Sequence, residues 1–469
     1  MKYFYEITPS SKPAIVSSDG EVVTYRDLYE EIEKAKPLLR KRSLAFCLCE
    51  NSPSSITAYL TCMNSGLVPL LLDRKIDRAL LADLLKAYEP YYLFLPRELE
   101  EEFSGWHRIH DMKTYTVLEN DIYPDYELND DLAMLLTTSG STGSPKLVRQ
   151  SYLNIQSNAE AIAEYLEITE SERPVTTLPM NYTYGLSIIN SHLVAGATMY
   201  TTEYPINFKP FWDFVRANGI TSFGGVPFTY VMLKKIRFFK MDLPDLRYVT
   251  QAGGKLDPEL HAEFAEWAEK TGKKFIVMYG QTEASPRMGY LPREMCSVKK
   301  GSMGIAIPGG EFMLLDANDE VITEPEIVGE LVYRGPNVTL GYAESKYDLS
   351  KGDERHGVLA TGDMAKRDAD GYYYIVGRKK RFLKIYGNRV NLDETDRLIM
   401  ARYPDADCAS TGVDDHMTIY VTDENILAEL REWISSVTHL SQGAFDIRYI
   451  PEIPRNEAGK VLYKDLPTE

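Results

Sequence analysis

Apolar positions along the chain fall into short blocks separated by glycine-, proline- and serine-rich turns. Tyr25 to Arg40 repeats its apolar residues at helical spacing among many charges, with Asp27 and Glu30 in the early turns where a helix dipole favours acids. Ser43 to Cys49 reads as a strand. The longest apolar-looking run, Ile56 to Leu72, is broken by Thr57, Thr61, Asn64, Ser65 and Gly66. It predicts a helix, a turn at Gly66 and a buried strand rather than a membrane span. Helices over Asn154–Leu166, Pro210–Ala217 and Pro258–Lys270 alternate with strands over Thr198–Thr202, Thr221–Val226 and Lys274–Tyr279. Such alternation predicts an α/β domain with largely parallel sheets.

The pattern changes near Gly301. Glu311–Asp316, Gly329–Tyr333 and Gly371–Val376 read as strands joined by short turns. A charged, hinge-like segment, Gly377-Arg378-Lys379-Lys380-Arg381, follows. A short α+β tail comes next: helix Leu392–Arg402, strand Met417–Thr422 and helix Glu424–Ser435. No internal repeat or low-complexity tract is evident.

A length of 469 residues predicts more than one domain. With 44% apolar and 26% charged residues, the composition is that of a soluble globular protein. The formal charge of −17 argues against broad nucleic-acid or anionic-membrane binding, which needs a positive field. Five cysteines form no regular framework. Cys47 and Cys49 fall on one face of a strand and read as core thiols, which fits a reducing cytoplasm. The seven histidines form no metal-ligand pattern. The first residues lack a signal peptide's apolar segment.

One stretch stands out. The apolar run Leu132-Ala133-Met134-Leu135-Leu136 leads into TTSGSTGSPK, residues 137–146. Gly, Ser, Thr and Pro are ordinary turn residues, so a surface loop is one reading. A phosphate cradle is the other: glycines let backbone N–H groups approach an anion, hydroxyls donate, and a lysine neutralises charge. The spacing is not that of the standard P-loop. Alone, the stretch does not decide between them.

Four separated stretches decide it together. LLTTSGSTGSPKLV (135–148), YGQTEAS (279–285), LATGDMAKRDADGYYYIVGRKKRFLKIYGNRV (359–390) and PRNEAGK (454–460) occur in the order and rough spacing of the adenylate-forming enzymes. The chain resembles that superfamily, which includes acyl- and aryl-CoA synthetases, peptide-synthetase adenylation domains and luciferases, over nearly its whole length. In kind it is most similar to a stand-alone acyl- or aryl-CoA or acyl-carrier-protein ligase. The resemblance implies a large N-terminal α/β domain of stacked sheets with a distorted β-barrel lobe, residues 1–379. A small mobile α+β domain, residues 380–469, would follow. It implies a two-step reaction. A carboxylate attacks the α-phosphate of ATP, giving an acyl-adenylate and pyrophosphate. A phosphopantetheine thiol, on coenzyme A or on a separate acyl carrier protein, then takes the acyl group and AMP leaves.

The resemblance also implies roles. Thr138, Ser139, Gly140, Ser141, Thr142, Gly143 and Lys146 would hold the β- and γ-phosphates; Leu147 stands where relatives usually have glycine. Gly253 and Gly254 would admit adenine, and Tyr279 would stack on it beside Gly280 and Gln281. Thr282 would donate to the α-phosphate, and Glu283 would hold Mg²⁺. Asp363 would accept from both ribose hydroxyls, with Arg378 and Ile375 alongside. Lys460 would stabilise the charge that develops during adenylation. Lys380 occupies the hinge position, and Gly387 would leave room for the pantetheine arm. Residues 377–389 carry six cations and no acid, a cluster that suits the phosphates of coenzyme A, the acidic face of a carrier protein, or a solvated hinge with ordinary ATP contacts.

The acid is less defined. Tyr182, Thr183, Tyr184, Phe223, Gly224, Gly225, Val226 and Met278 would line a mainly apolar pocket. Amino-acid-activating relatives have an Asp where this chain has Thr183, and Asn181–His192 contains no acid. A buried ammonium without a counter-charge is costly, so an acyl or aryl acid is expected over an α-amino acid. Tyr182 and Tyr152 replace histidines common in acyl-CoA-forming relatives. The expected partner is thus a small carboxylic acid, with no nucleic acid and no membrane span, in a cytoplasmic monomer or homodimer. The rival readings are an amino-acid-activating ligase, adenylation without thioester formation, and a catalytically silent nucleotide binder.

Overall fold

A computed structural model of the chain describes residues 3–137, 146–385, 388–413, 415–438, 440–455 and 461–467. It divides into two compact units, Met1–Glu311 with Tyr333–Leu359, and Phe312–Val332 with Ala360–Glu469.

The larger unit is built on two sheets. In the first, the strand order is Gly341–Ala343, Leu147–Ser151, Leu132–Thr137, Val68–Asp73, Leu44–Cys49, Tyr92–Pro96, Tyr115–Asn120 and Trp106–Met112. Its four central strands are parallel and the flanking ones antiparallel. In the second, the order is Ile305–Ala306, Arg287–Tyr290, Lys274–Gly280, Tyr248–Gln251, Ser222–Gly225, Pro174–Val175, Met199–Thr201, Pro13–Ser17 and Val22–Thr24. Here too the interior is parallel and the edges are antiparallel. The mixed α/β architecture follows the alternation read from the sequence.

The sequence explains the local choices. Ile56–Leu72 resolves into helix Pro53–Asn64 and strand Val68–Asp73. Ser52 caps that helix by accepting from the Ser55 N–H, and Pro53 sits where its missing N–H is not needed. Gly66 then turns with φ of 69°, a conformation a side chain resists. One continuous core joins both sheets: Ile15 and Met199 of one, Cys47 and Leu71 of the other, and Ile56, Tyr59, Ile155 and Ile189 of the helices between. Cys47, Cys49 and Cys62 are buried free thiols in it, with Cys47 Sγ 3.7 Å from Cys62 Sγ. No described helix is long and apolar enough to cross a membrane.

The smaller unit carries a four-stranded sheet, in the order Glu311–Leu315, Gly329–Arg334, Val358–Arg367 and Tyr373–Arg378. It also carries a hairpin, Phe382–Ile385 with Asn388–Asn391, and a three-stranded sheet flanked by helices Leu392–Arg402 and Leu427–Thr438. Its own core gathers Leu383, Ile399, Ile419, Leu430 and Ile434.

Helix Thr183–Val194 is tied to the second sheet through a buried histidine. His192 Nδ1 lies 2.7 Å from the Ile188 carbonyl and Nε2 3.1 Å from the Tyr248 hydroxyl. Only a donor suits the carbonyl, so the neutral ring carries its proton on Nδ1 and accepts from Tyr248. Burial lowers its pKa from 6.5 to about 4. The unfolded chain therefore binds this proton more tightly. The stabilisation is complete above pH 6.5 and is lost as pH falls towards 4, by about 3 kcal/mol. The His192→Gln variant should lose less stability than the parent between pH 6.5 and 4 in thermal melts. Parallel melting curves across that window would rule out this titration.

Candidate active site

Three neighbouring parallel strands of the larger unit, Ser222–Gly225, Tyr248–Gln251 and Lys274–Gly280, deliver predicted residues at their carboxyl ends. Val226, the Gly253-Gly254 pair and the Gln281–Glu283 turn follow them, the usual place for ligands in open α/β sheets. Gly253 has φ of 85°, and a Cβ there would lie 2.7 Å from the Tyr182 hydroxyl. At Gly280 a Cβ would lie 2.0 Å from the Pro286 carbonyl, so only glycine permits the chain to double back.

That turn is held by buried amides from distant segments. Asn337 Nδ2 donates to the Ala284 and Arg287 carbonyls, at 2.7 and 2.8 Å. Asn158 Nδ2 donates to the Arg287 carbonyl at 2.8 Å, and its Oδ1 accepts from the Arg287 N–H at 3.3 Å. Asn154 caps its helix together with Ser151 and donates to the Pro336 and Val338 carbonyls, at 2.8 and 2.7 Å. The Glu283 carbonyl accepts from the Thr339 N–H and hydroxyl, both at 3.1 Å, and from Arg355 at 3.2 Å.

The side chains of the turn diverge to two partners. Thr282 Oγ1 is 2.9 Å from Thr183 Oγ1, at the first turn of helix Thr183–Val194. Glu283 Oε1 accepts from the Tyr342 hydroxyl at 2.8 Å. Burial and that carboxylate push the Tyr342 hydroxyl up to about 12, so it stays protonated as a donor. Two cations cover the Tyr342 ring: Lys146 Nζ at 3.9 Å and the Arg355 guanidinium at 4.6 Å from its centroid. Lys146 Nζ also lies 4.0 Å from Glu344. Lys146 and Glu283, 137 residues apart in sequence, thus share one tyrosine that the motifs did not single out. The strand pairing explains why: Tyr342 registers with Val148 and Ala343 with Leu147, so the edge strand lies beside the lysine. No local pattern signals that contact.

The residues expected to line the acid pocket divide between two faces of the sheet. Tyr184 and Val226 pack with Met278, and Tyr182 borders them. The Tyr184 hydroxyl donates to the Thr250 carbonyl at 2.8 Å. Tyr165, which sequence reasoning passed over, reaches Met278 Sδ at 3.1 Å and stacks on Tyr290. Gly224 faces this group, since a Cβ there would touch Tyr184 and Ile188. Phe223 turns instead to Trp212 and Phe238, because alternate residues of a strand point to opposite faces. Gly225 shares that other face, against Thr229 and Tyr230. Tyr152 packs with Tyr3 and Tyr5 in the main core.

Beside this tyrosine cluster lies a buried charge that no motif singled out. Arg287 is 2% exposed, and its guanidinium lies 3.8 Å from the centroid of the Tyr184 ring. Burial raises the pKa values of Tyr165, Tyr182 and Tyr184, and this cation opposes the rise in each.

In the smaller unit, Asp363 is buried and pairs across the ladder with Arg378, whose Nε is 2.6 Å from Asp363 Oδ1. Thr361 braces it by accepting from the Asp363 N–H at 3.1 Å and donating to the Leu331 carbonyl at 2.7 Å. Ile375 registers with Ala365 on the same pair of strands. The cation cluster is partly neutralised within this unit. Lys379 pairs with Glu330 at 2.5 Å, and Arg381 with Asp393 and Asp396 at 2.7 and 2.8 Å. Thr138, Ser139, Gly140, Ser141, Thr142, Gly143, Gly387 and Lys460 lie outside the described residues, as does the side chain of Lys380.

Glu283 is a hard, acceptor-only ligand of the kind Mg²⁺ takes alongside phosphate oxygens. No cluster of three potential metal ligands occurs among the described residues. A metal bound by one carboxylate and its nucleotide fits that donor set.

A model of the AMP-binding enzyme family matches residues 5–343. The chain is 26% identical to the 2-succinylbenzoate–CoA ligase of Geobacillus sp. (strain WCH70), over 98% of its own length and 95% of that protein. It is 29% identical to the long-chain-fatty-acid–CoA ligase of Yersinia pestis, over 74% of its length and 63% of that protein. Its fold matches the O-succinylbenzoate coenzyme A synthetase of Bacillus subtilis in complex with ATP and a magnesium ion. That match has a TM-score of 0.75 and 22% identity, and covers 97% of this chain and 96% of that one. Strand order, motifs and family model agree: the chain belongs to the AMP-binding enzymes.

Proposed function

We propose that the protein is an AMP-forming carboxylate–CoA ligase, which joins an acid to ATP as an acyl-adenylate and then passes the acyl group to the coenzyme A thiol. The observation that carries this reading is the cluster Lys146–Tyr342–Glu283 with Thr282 beside it, at the carboxyl ends of the parallel strands. The relatives' names, as CoA ligases, support coenzyme A over a carrier protein as acceptor.

Adenylation is a displacement at phosphorus, so positioning and charge neutralisation supply most of the catalysis. Thr282, oriented by Thr183, donates to the α-phosphate. Lys146, with residues 138–143, neutralises the β- and γ-phosphates. Glu283, held by Tyr342, is the ligand for Mg²⁺, which when bound screens phosphate charge. Gly253, Gly254 and Tyr279 take the adenine, and Asp363 takes the ribose diol. Lys460 stabilises the charge that builds up between carboxylate and phosphate. Lys380 is the pivot between the half-reactions, and Gly387 admits the pantetheine arm. An α-amino acid is disfavoured, since Asn181–His192 offers no acid to pair with a buried ammonium.

The direct test is ATP-dependent pyrophosphate release with hydroxylamine trapping, across fatty, aryl and amino acids. Coenzyme A or a pantetheinylated carrier is then added and AMP release measured. An acyl or aryl hydroxamate, with AMP released on adding coenzyme A, is expected. A hit confined to amino acids, or turnover only with the carrier, would replace the substrate or acceptor assignment. Lys460→Ala should slow adenylation by roughly 10²–10³-fold while sparing thioester formation from supplied acyl-adenylate. Equal loss in both would reject its role. Tyr342→Phe should raise the Mg²⁺ concentration needed for half-maximal adenylation by about tenfold or more, as expected when a ligand loses its orienting hydrogen bond. An unchanged Mg²⁺ dependence would show that Tyr342 serves only packing.

A further inference from the structure

Arg355 stands at the edge of the candidate site without a counter-charge of its own. Two acids precede it in sequence, and both are committed elsewhere. Asp353 Oδ1 accepts from the Arg355 and His356 N–H groups, each at 2.9 Å, and Glu354 pairs with the buried Arg149, so among the described residues no carboxylate pairs with the Arg355 guanidinium. Its anchor is neutral. Nη1 donates to the Thr339 hydroxyl at 3.1 Å and to the Glu283 carbonyl at 3.2 Å. Thr339 is fully buried and donates to that same carbonyl, which makes the anchor rigid. Nε and Nη2 have no acceptor among the described residues, so most of the N–H donors of the planar fork are unspent. The group is also within reach of a solute. Arg355, Tyr342, Thr282 and Glu283 are all partly exposed, and the Lys146 side chain is 39% exposed. Lys146 and Arg355 share the Tyr342 ring, and among the described residues Lys146 pairs only with the exposed Glu344, at 4.0 Å. Like charges gathered on one ring repel, and an anion placed beside both relieves that repulsion.

We propose that Arg355 is a second phosphate-binding cation, which with Lys146 holds the β- and γ-phosphates of ATP and then the departing pyrophosphate. The assignment rests on the ligase reading and adds a residue to it. The two sides of the turn decide which phosphates are meant. Thr282 points to Thr183, whereas Arg355 lies with Lys146 and Tyr342 on the Glu283 side. As the oxygen of the acid attacks the α-phosphorus, the bond from that phosphorus to the bridging oxygen breaks, and its electron pair leaves with pyrophosphate. Negative charge therefore grows on the group that Arg355 meets. A guanidinium already fixed by Thr339 stabilises that charge without reorganising, so the contact favours the transition state over bound ATP. Its planar fork takes two phosphate oxygens at once, which a lysine does not.

Acid-dependent exchange of labelled pyrophosphate into ATP tests the assignment on the full chain, at saturating Mg²⁺ and across the same panel of acids. Arg355→Gln should raise KM for pyrophosphate by about tenfold or more and lower kcat for adenylation. Its affinity for AMP, which lacks those phosphates, should stay within about threefold of the parent. Arg355→Lys should raise KM for pyrophosphate by about threefold or more, because a single nitrogen cannot keep the Thr339 anchor and reach phosphate together. That variant decides the matter if Arg355→Gln melts far below the parent. An unchanged KM for pyrophosphate in either folded variant would overturn the assignment. So would equal weakening of AMP and pyrophosphate, which would show that Arg355 only braces the turn. Absence of acid-dependent exchange in the parent, with every acid, would remove the ligase reading and this assignment with it.

Discussion

Buried amide hydrogen bonds hold the turn on which the catalytic reading depends. Thr282, Glu283 and Arg287 sit on one short reversal after a central strand, and their main chain is satisfied by Asn158, Asn337 and Thr339 rather than by a ladder. Buried carbonyls that lacked those donors would cost free energy, so the frame and the turn form together. The same frame fixes three functions at once: a hydroxyl aimed at Thr183, a carboxylate aimed at Tyr342 and a cation aimed at Tyr184.

A second buried charge does purely structural work beside the first. Arg149 is fully buried and donates to the carbonyls of Tyr342 and Gly352, at 2.9 and 3.2 Å, while pairing with Glu354. These bonds fasten the edge strand Gly341–Ala343 to Leu147–Ser151 and so keep Tyr342 between Lys146 and Glu283. Arg149 and Arg287 show the two fates of a buried guanidinium. The first is consumed by carbonyls and a carboxylate of its own chain; the second lies over the Tyr184 ring with its Nε unpartnered among the described residues.

This division gives the tyrosine cluster its character. Tyrosines and Met278 supply apolar surface, as the composition of the segment suggested, but the wall is not neutral. A buried cation beside these tyrosines opposes a second positive charge there, such as the ammonium of an amino acid. The absence of an acid in Asn181–His192, read from the sequence, and the presence of Arg287, read from the structure, point the same way.

Sequence alone determined what depends on local order. The alternation of elements, the turn at Gly66, the core thiols and the family motifs were all legible, because periodicity, φ preference and motif spacing are properties of neighbouring residues. Pairing in space was not. Phe223 was read into the pocket, and only the strand's facing shows that its ring joins Trp212 and Phe238. Tyr342 was passed over because its tie to Glu283 comes from the pairing of residues 341–343 with 147–149. Arg287 follows the YGQTEAS motif by two positions, but nothing local distinguishes a solvated arginine from a buried one. Tertiary structure decided those points because burial and electrostatic pairing are set by segments more than a hundred residues apart, which meet only when the sheets close over their shared core.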